Sequence, residues 1–302
     1  MITLVLSGAA NYGAMQAGAI EALLSCGYQP EMIIGTSAGA LNAIFIASNP
    51  TVDGARHLGA LWEAFGASQA VRFSRLTSVR QLLTRKNSLI PNESLVNFLQ
   101  AQVPLQAKTF GRLMQESGIR TYTIAVRMED GQVVAFGDQD NDRLIDGAMA
   151  SISIPPLFEP WKVDGHQYLD GGIAANLPLS ESIERGATQI VALTVDRSIG
   201  QSPMGLDMLG LGRYAIAMMV NRQTDLQLDL ANTTGVVVRL IDLPAPQDVE
   251  FWDYNQASFL YHLGYQAARQ SLEKDPLRIL PAWQLRIRMG LMDRIMKISR
   301  RN

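Results

Sequence analysis

Ser37 lies in Gly35-Thr36-Ser37-Ala38-Gly39, a Gly-x-Ser-x-Gly pentapeptide. The apolar Met32-Ile33-Ile34 precedes it, and Ala38 to Ala47 follow with Leu41, Ile44 and Phe45 spaced to bury one helical face. A serine hydroxyl attacks a carbonyl carbon when it is held exposed and can give up its proton. Strand, sharp turn and helix in that order make a nucleophile elbow, which presents the serine at a helix N-terminus. Gly35 and Gly39 allow close backbone passage at such a turn. The first N–H groups of the helix and its positive dipole end favour a developing anion. The pentapeptide alone also suits an ordinary turn; the strand before it and the helix after it favour the elbow.

The serine needs a base within hydrogen-bond reach, and the chain has three histidines. His57 falls on a helical stretch beside Arg56, His166 in a turn after Gly165, and His262 in Tyr261-His262-Leu263 near the C-terminus. An ordinary α/β-hydrolase places several strands before the elbow and its histidine last. Here one strand and one helix precede Ser37, leaving His262 as the only late candidate. Asp170 is the better base. It ends the apolar Tyr168-Leu169 and precedes Gly171-Gly172, so a tight turn can bring its carboxylate against another backbone. Partial desolvation would raise its pKa toward a useful range. Asp-Gly-Gly is equally the composition of a plain turn.

The surrounding pattern alternates strands and helices. A strand over 3–6, a small-residue loop, a helix over 14–25, a strand over 31–35 and a helix over 38–47 open a parallel sheet covered by helices. Helices are expected over 57–65 and 93–100. Strands follow at 122–126 and 132–136, joined at Asp130-Gly131. A helix over 144–153 must stop before Pro155-Pro156. A hairpin around Gly165 delivers Asp170, followed by a helix over 179–185, a strand over 189–195, helical spacing over 204–232 and a strand over 235–241. The chain then reads as irregular and finally helical. The division expected is a catalytic domain over 1–245 and a helical C-terminal extension over 246–302. In that tail Leu285, Met289, Met292 and Met296 share a stripe, with Ile287, Leu291, Ile295 and Ile298 beside it. Most of its cations, Arg286, Arg294, Lys297, Arg300 and Arg301, fall opposite. Such a helix either lies on an anionic membrane or packs on the protein.

The bulk numbers fit a globular chain: 302 residues, 47% hydrophobic and 18% charged, with a net charge of −2. That charge points to no polyanionic partner, so no nucleic acid is expected. A local exception is the acid-free stretch carrying Arg72, Arg75, Arg80, Arg85 and Lys86, which suits an anionic surface or a solvated face. The single Cys26 forbids an intrachain disulfide. Met1 to Leu6 lacks the basic region of a signal peptide, and no apolar run approaches the roughly 18 residues of a span. The expected location is cytoplasmic, with peripheral membrane contact through Arg72–Lys86 or the basic tail.

Three runs together resemble the patatin-like phospholipases: the elbow, Ala150-Ser151-Ile152-Ser153-Ile154-Pro155-Pro156-Leu157-Phe158, and Tyr168-Leu169-Asp170-Gly171-Gly172-Ile173-Ala174-Ala175-Asn176-Leu177-Pro178. The resemblance covers roughly residues 3–240. It implies a three-layer α/β/α fold with a mainly parallel central sheet and a lipid acyl hydrolase working on lipid esters or phospholipids. It also implies a Ser–Asp dyad, Ser37 as nucleophile and Asp170 as base, with no cofactor and no catalytic metal. The supporting turns are then Gly35 and Gly39 at the elbow and Gly171 and Gly172 after the aspartate. Backbone N–H groups of Gly8, Ala9 and Ala10 take the oxyanion. The family's loop here is a glycine triplet, one residue, Arg or Lys, and glycine. This chain has Gly8-Ala9-Ala10-Asn11-Tyr12-Gly13, with alanine at two glycine positions and Tyr12 for the cation. The alternative function is a catalytically silent lipid- or protein-binding module on the same fold.

Overall fold

A computed structural model describes residues 1–68, 91–102, 108–195, 208–246, 248–250 and 252–299. The basic stretch Arg72–Lys86 lies outside the described residues. In chain order the elements begin with β1 (Ile2–Leu6), α1 (Gly13–Ser25), β2 (Met32–Thr36), α2 (Ala38–Ser48), α3 (Val52–Ala67), α4 (Asn92–Gln102) and α5 (Phe110–Ser117). Next come β3 (Arg120–Arg127), β4 (Val133–Phe136), α6 (Leu144–Ile152), β5 (Trp161–Val163), β6 (His166–Asp170), α7 (Leu179–Glu184) and β7 (Gln189–Val195). The chain closes with α8 (Met208–Thr234), β8 (Val237–Leu243), α9 (Ala257–Lys274) and α10 (Ala282–Ser299).

Among the described residues eight strands form one sheet, ordered β5-β6-β3-β2-β1-β7-β8 with β4 also on β3. The five strands from β3 to β8 in that order are parallel, while β4 and β6 pair antiparallel with β3, and β5 pairs antiparallel with β6. β1 lies between β2 and β7, with Leu6 opposite both Gly35 and Leu193. The alternation of side chains along a strand divides the apolar residues between two faces. Leu4, Leu6, Ile33, Val191 and Leu193 join one core with α1, α2, α3 and α6. Val5, Met32, Ile34, Ile190 and Ala192 join the other, under Leu179 of α7 and Ala231 of α8. Both faces of the sheet are thus covered, which gives the three-layer α/β/α architecture and explains why its inner strands are mostly apolar.

Packing does not change character at residue 245. Val249, Ala257, Leu260, Ala268 and Leu272 belong to the same core as α1. α9 lies so close to α1 that a Cβ on Gly264 would fall 2.0 Å from Met15 O. The chain on both sides of the expected boundary therefore shares one core, and α9 packs on α1. α10 meets that body through buried Leu285 and through a paired amide contact. Gln189 Nε2 donates to Leu280 O at 3.0 Å, and Leu280 N donates to Gln189 Oε1 at 2.6 Å. Trp283, Ile287 and Leu291 of α10 remain exposed. Among the described residues no helix is long and apolar enough to cross a membrane.

If α9 is integral, removing its central anchor must weaken the whole molecule. Leu260 is fully buried. Leu260→Ala is expected to cost about 2–5 kcal/mol in the main urea unfolding transition. A main transition left in place, with only a minor early phase altered, would restore an independent C-terminal unit.

Candidate active site

The site begins with the two edges of β3. One edge carries β4, which pairs from Thr123 to Val126. The other carries two strands in succession. β2 pairs along it up to Thr36 opposite Ile124, and β6 takes over with Asp170 opposite Ala125. β2 and β6 run in opposite directions and meet tip to tip. The chain leaving β2 must turn out of the sheet at once, and it does so at Ser37.

Ser37 has φ 55° and ψ −123°, a left-handed backbone that costs a non-glycine residue about 1–3 kcal/mol. The glycines on either side make room for it. A Cβ on Gly35 would lie 2.1 Å from Gly39 O, and one on Gly39 would lie 2.6 Å from Leu6 O and Ser7 O. Ser37 N donates to Ser151 Oγ at 2.9 Å, and Ser151 Oγ donates to Ile124 O at 2.5 Å. The neighbouring Thr36 Oγ1 donates to Ala175 O at 2.8 Å. The elbow is tied in this way to β3, α6 and the turn after Asp170.

Ser37 Oγ donates to Asp170 Oδ2 at 2.6 Å, joining side chains 133 positions apart. Asp170 is 2% exposed. Its N–H donates to Ser153 O at 3.0 Å, and its Oδ1 accepts from Gly172 N at 2.7 Å inside the short helical turn Gly171–Ile173. Among the described residues no cation pairs with it. Burial pushes its pKa up to about 6, and the hydrogen bonds from Ser37 and Gly172 hold it from rising further. His57, His166 and His262 are all exposed, and none bonds to Ser37 among the described residues. His166 lies 3.9 Å from Glu129 at the start of β6.

The loop from Gly8 to Gly13 runs beside the serine. A Cβ on Gly8 would lie 3.4 Å from Ser37 Cβ. Gly8 N–H donates to Asn176 O at 3.0 Å. Ala9 and Ala10 have no acceptor for their N–H groups among the described residues. Of the two alanines only Ala10 takes a left-handed backbone, φ 48°, at a cost of ~1–2 kcal/mol. Ala9 has φ −154°. The first intrahelical bond of α2 comes from Ala40 N, which leaves Ala38 and Gly39 N–H at the helix start without an intrahelical acceptor. Among the described residues no group of three metal-ligating side chains occurs. Ser151 and Asn176 are the residues that motif reading passed over. Both stood in the diagnostic runs, but nothing local distinguishes a serine that braces an elbow from one that faces a helix groove.

The family model for patatin-like phospholipases matches residues 4–183, more than half of the chain. The chain belongs to the patatin-like phospholipase family. The uncharacterized protein YjjU of Escherichia coli strain K12 is 29% identical over 231 residues, covering 73% of this chain and 60% of YjjU. Mouse patatin-like phospholipase domain-containing protein 7 is 26% identical over 195 residues, covering 64% of this chain and 13% of that protein. The chain thus spans 60% of the length of the first relative and 13% of the second. Human GIVD cytosolic phospholipase A2, solved with methyl gamma-linolenyl fluorophosphonate, superposes with a TM-score of 0.48 at 11% identity. That alignment covers 91% of this chain and 58% of that one.

The environment of Asp170 in this patatin-like phospholipase fold has a thermodynamic signature. Its folded pKa of about 6 lies above the ordinary 3.8, so between those values the folded chain holds the proton more firmly than the unfolded chain. The stabilising contribution is full below 3.8 and is lost as pH rises through about 6. Asp170→Asn stays neutral and avoids that loss. It is expected to be more stable than wild type at about pH 8, by up to about 3 kcal/mol, with the advantage vanishing near pH 4. Urea unfolding at the two pH values measures it. A variant less stable than wild type at the higher pH would show that the carboxylate is better satisfied than its burial implies.

Proposed function

We propose that the protein is a lipid acyl hydrolase that works through a Ser37–Asp170 dyad and an acyl-serine intermediate. The observation that carries this reading is the 2.6 Å bond from Ser37 Oγ to the carboxylate of a buried aspartate without a cationic partner among the described residues. Membership of the patatin-like phospholipase family supports an ester of a fatty acid as substrate. So do Ile154 and Ile173, which are exposed and follow directly on Ser153 and Gly172.

In the first half-reaction Asp170 Oδ2 takes the Ser37 proton as Oγ attacks the ester carbonyl carbon. The carbonyl electron pair moves onto oxygen, where N–H groups of Ala9 and Ala10 receive the charge; one such donor is worth ~3 kcal/mol. The tetrahedral centre collapses, the bond to the leaving alcohol breaks, and that alcohol takes the proton from Asp170. In the second half-reaction water gives a proton to Asp170 and attacks the acyl-serine. The acid leaves and Ser37 regains its proton. A base of pKa near neutrality suits both directions of transfer.

Ser37→Ala and Asp170→Asn are each expected to abolish turnover of a short p-nitrophenyl ester and of phospholipid vesicles. Wild-type kcat/KM is expected to climb as pH rises through about 6 and then level off, because the free carboxylate is the working form. Full activity in folded Asp170→Asn protein would exclude the dyad. A wild type inert to esters and to a fluorophosphonate probe would favour the silent binding module.

A further inference from the structure

The loop that runs beside Ser37 is held from outside the family-matched part of the chain. Asn11 is 1% exposed, and its Nδ2 donates to two backbone carbonyls, Glu250 O at 2.9 Å and Asp253 O at 2.8 Å. Tyr12 Oη donates to Val249 O at 2.5 Å. These bonds link residues more than 230 positions apart. The segment that receives them connects β8 to α9. Val249 itself is buried in the main core. At its other end Asp253 caps the short turn Tyr254–Gln256, accepting from Asn255 N at 3.1 Å. The Tyr254 ring lies parallel to Trp62, with centroids 6.4 Å apart, and edge-on to Phe65 at 5.1 Å.

The stem of the loop is gripped as well. Trp62 Nε1 donates to Asn42 Oδ1, Asn42 Nδ2 donates to Gly13 O and Gln16 Oε1, and Gln16 Nε2 donates to Ser7 O. Ser7 and Gly13 flank the loop, and Tyr254 packs on the same Trp62. The network therefore holds the two ends, while Asn11 and Tyr12 hold the side that faces the Val249, Glu250 and Asp253 carbonyls. Between them sit Ala9 and Ala10, whose N–H groups have no acceptor among the described residues, with Ala10 in a backbone conformation that alanine does not adopt unaided. Burial first, then the Asp170 carboxylate, push the Tyr254 phenol up to about 12.

We propose that the Val249, Glu250 and Asp253 carbonyls act as a strap, and that Asn11 and Tyr12 are positioning residues which, clasped to it, hold the Ala9 and Ala10 N–H groups ready for the oxyanion made at Ser37. This rests on the hydrolase reading. The strap acts in the transition state and leaves ground-state binding of a small ester alone, since its clasping bonds run to the Val249, Glu250 and Asp253 carbonyls. Its effect therefore belongs in kcat. A tetrahedral phosphorus adduct presents an oxygen like the oxyanion, so the rate of fluorophosphonate labelling belongs with it.

Tyr12→Phe removes one hydroxyl from a half-buried side chain, and Asn11→Ala removes both amide bonds. Each is expected to lower kcat on a soluble p-nitrophenyl ester about 10–100-fold, with KM held within about twofold, and to slow labelling by the same factor. Adding Ala10→Gly to Tyr12→Phe is expected to recover part of the lost kcat, because glycine reaches the left-handed backbone without the clasp. A purely structural role for Tyr12 would show no such recovery. Tyr12→Phe protein with wild-type turnover and labelling, a change confined to KM, or a failure of Ala10→Gly to recover activity would each overturn the strap while leaving the hydrolase intact. Wild-type protein inert to both ester and probe would overturn the hydrolase reading and the strap with it.

Discussion

One edge of β3 cannot pair with two strands at the same residue, and the site follows from that constraint. β2 holds the edge to Ile124, and β6 holds it from Ala125. Their tips are forced together from opposite directions. The first residue past β2 must leave the sheet, and the last residue of β6 must face it. Those residues are Ser37 and Asp170. The left-handed backbone of Ser37 is the local consequence of this collision, and the Ser151 bridge to Ile124 O fastens the elbow to the very residue where β2 stops. Strain of about 1–3 kcal/mol persists because the sheet register and the bridge over-determine it.

The same junction sets the electrostatics. A carboxylate at a strand tip is normally solvated, but here α6 and the 171–173 turn close over it. Ser153 O takes its N–H, and Gly172 N–H supports one of its oxygens. With no cation against it among the described residues, desolvation outweighs two hydrogen bonds and the pKa moves up rather than down. A nearby arginine would have produced the opposite result, a carboxylate too weak to accept a serine proton. The lack of a cation here among the described residues is as much a part of the site as the aspartate itself.

Much of this was legible in sequence because it is local. Gly-x-Ser-x-Gly between an apolar strand and a helix, and Asp-Gly-Gly after another strand, each carry their geometry within a few residues. What sequence missed is long-range or weakly patterned. The eight residues of α5 escaped notice, although Thr109 caps them by accepting from Arg112 N and Gly118 ends them at φ 74°. The division at 245 followed a change from apolar strand to irregular chain. α9 nevertheless buries Leu260, Ala268 and Leu272, two of them separated by four positions, on a helix whose other faces are polar. The partners of Asn11 and Tyr12 are backbone carbonyls, and a carbonyl has no sequence signature at all.

The substituted loop shows how a chain can exchange one source of order for another. Glycine reaches a left-handed backbone freely but brings conformational freedom that must be lost when the loop takes up its working shape. Alanine has less freedom to lose and resists the shape instead. With Ala9 at negative φ, only Ala10 bears that strain. Three side-chain hydrogen bonds to the Val249, Glu250 and Asp253 carbonyls, at roughly 0.5–1.5 kcal/mol each, are of a size to offset it. The buried Gln16–Asn42–Trp62 network adds rigidity at the stem, where each polar group has a partner and the low dielectric makes breaking any one of them costly. Order that a flexible loop would acquire only on reacting is here present beforehand, and its supports lie in α1, α2, α3 and the segment before α9. The chain beyond 245 packs into the same core through Val249, Leu260 and Leu272.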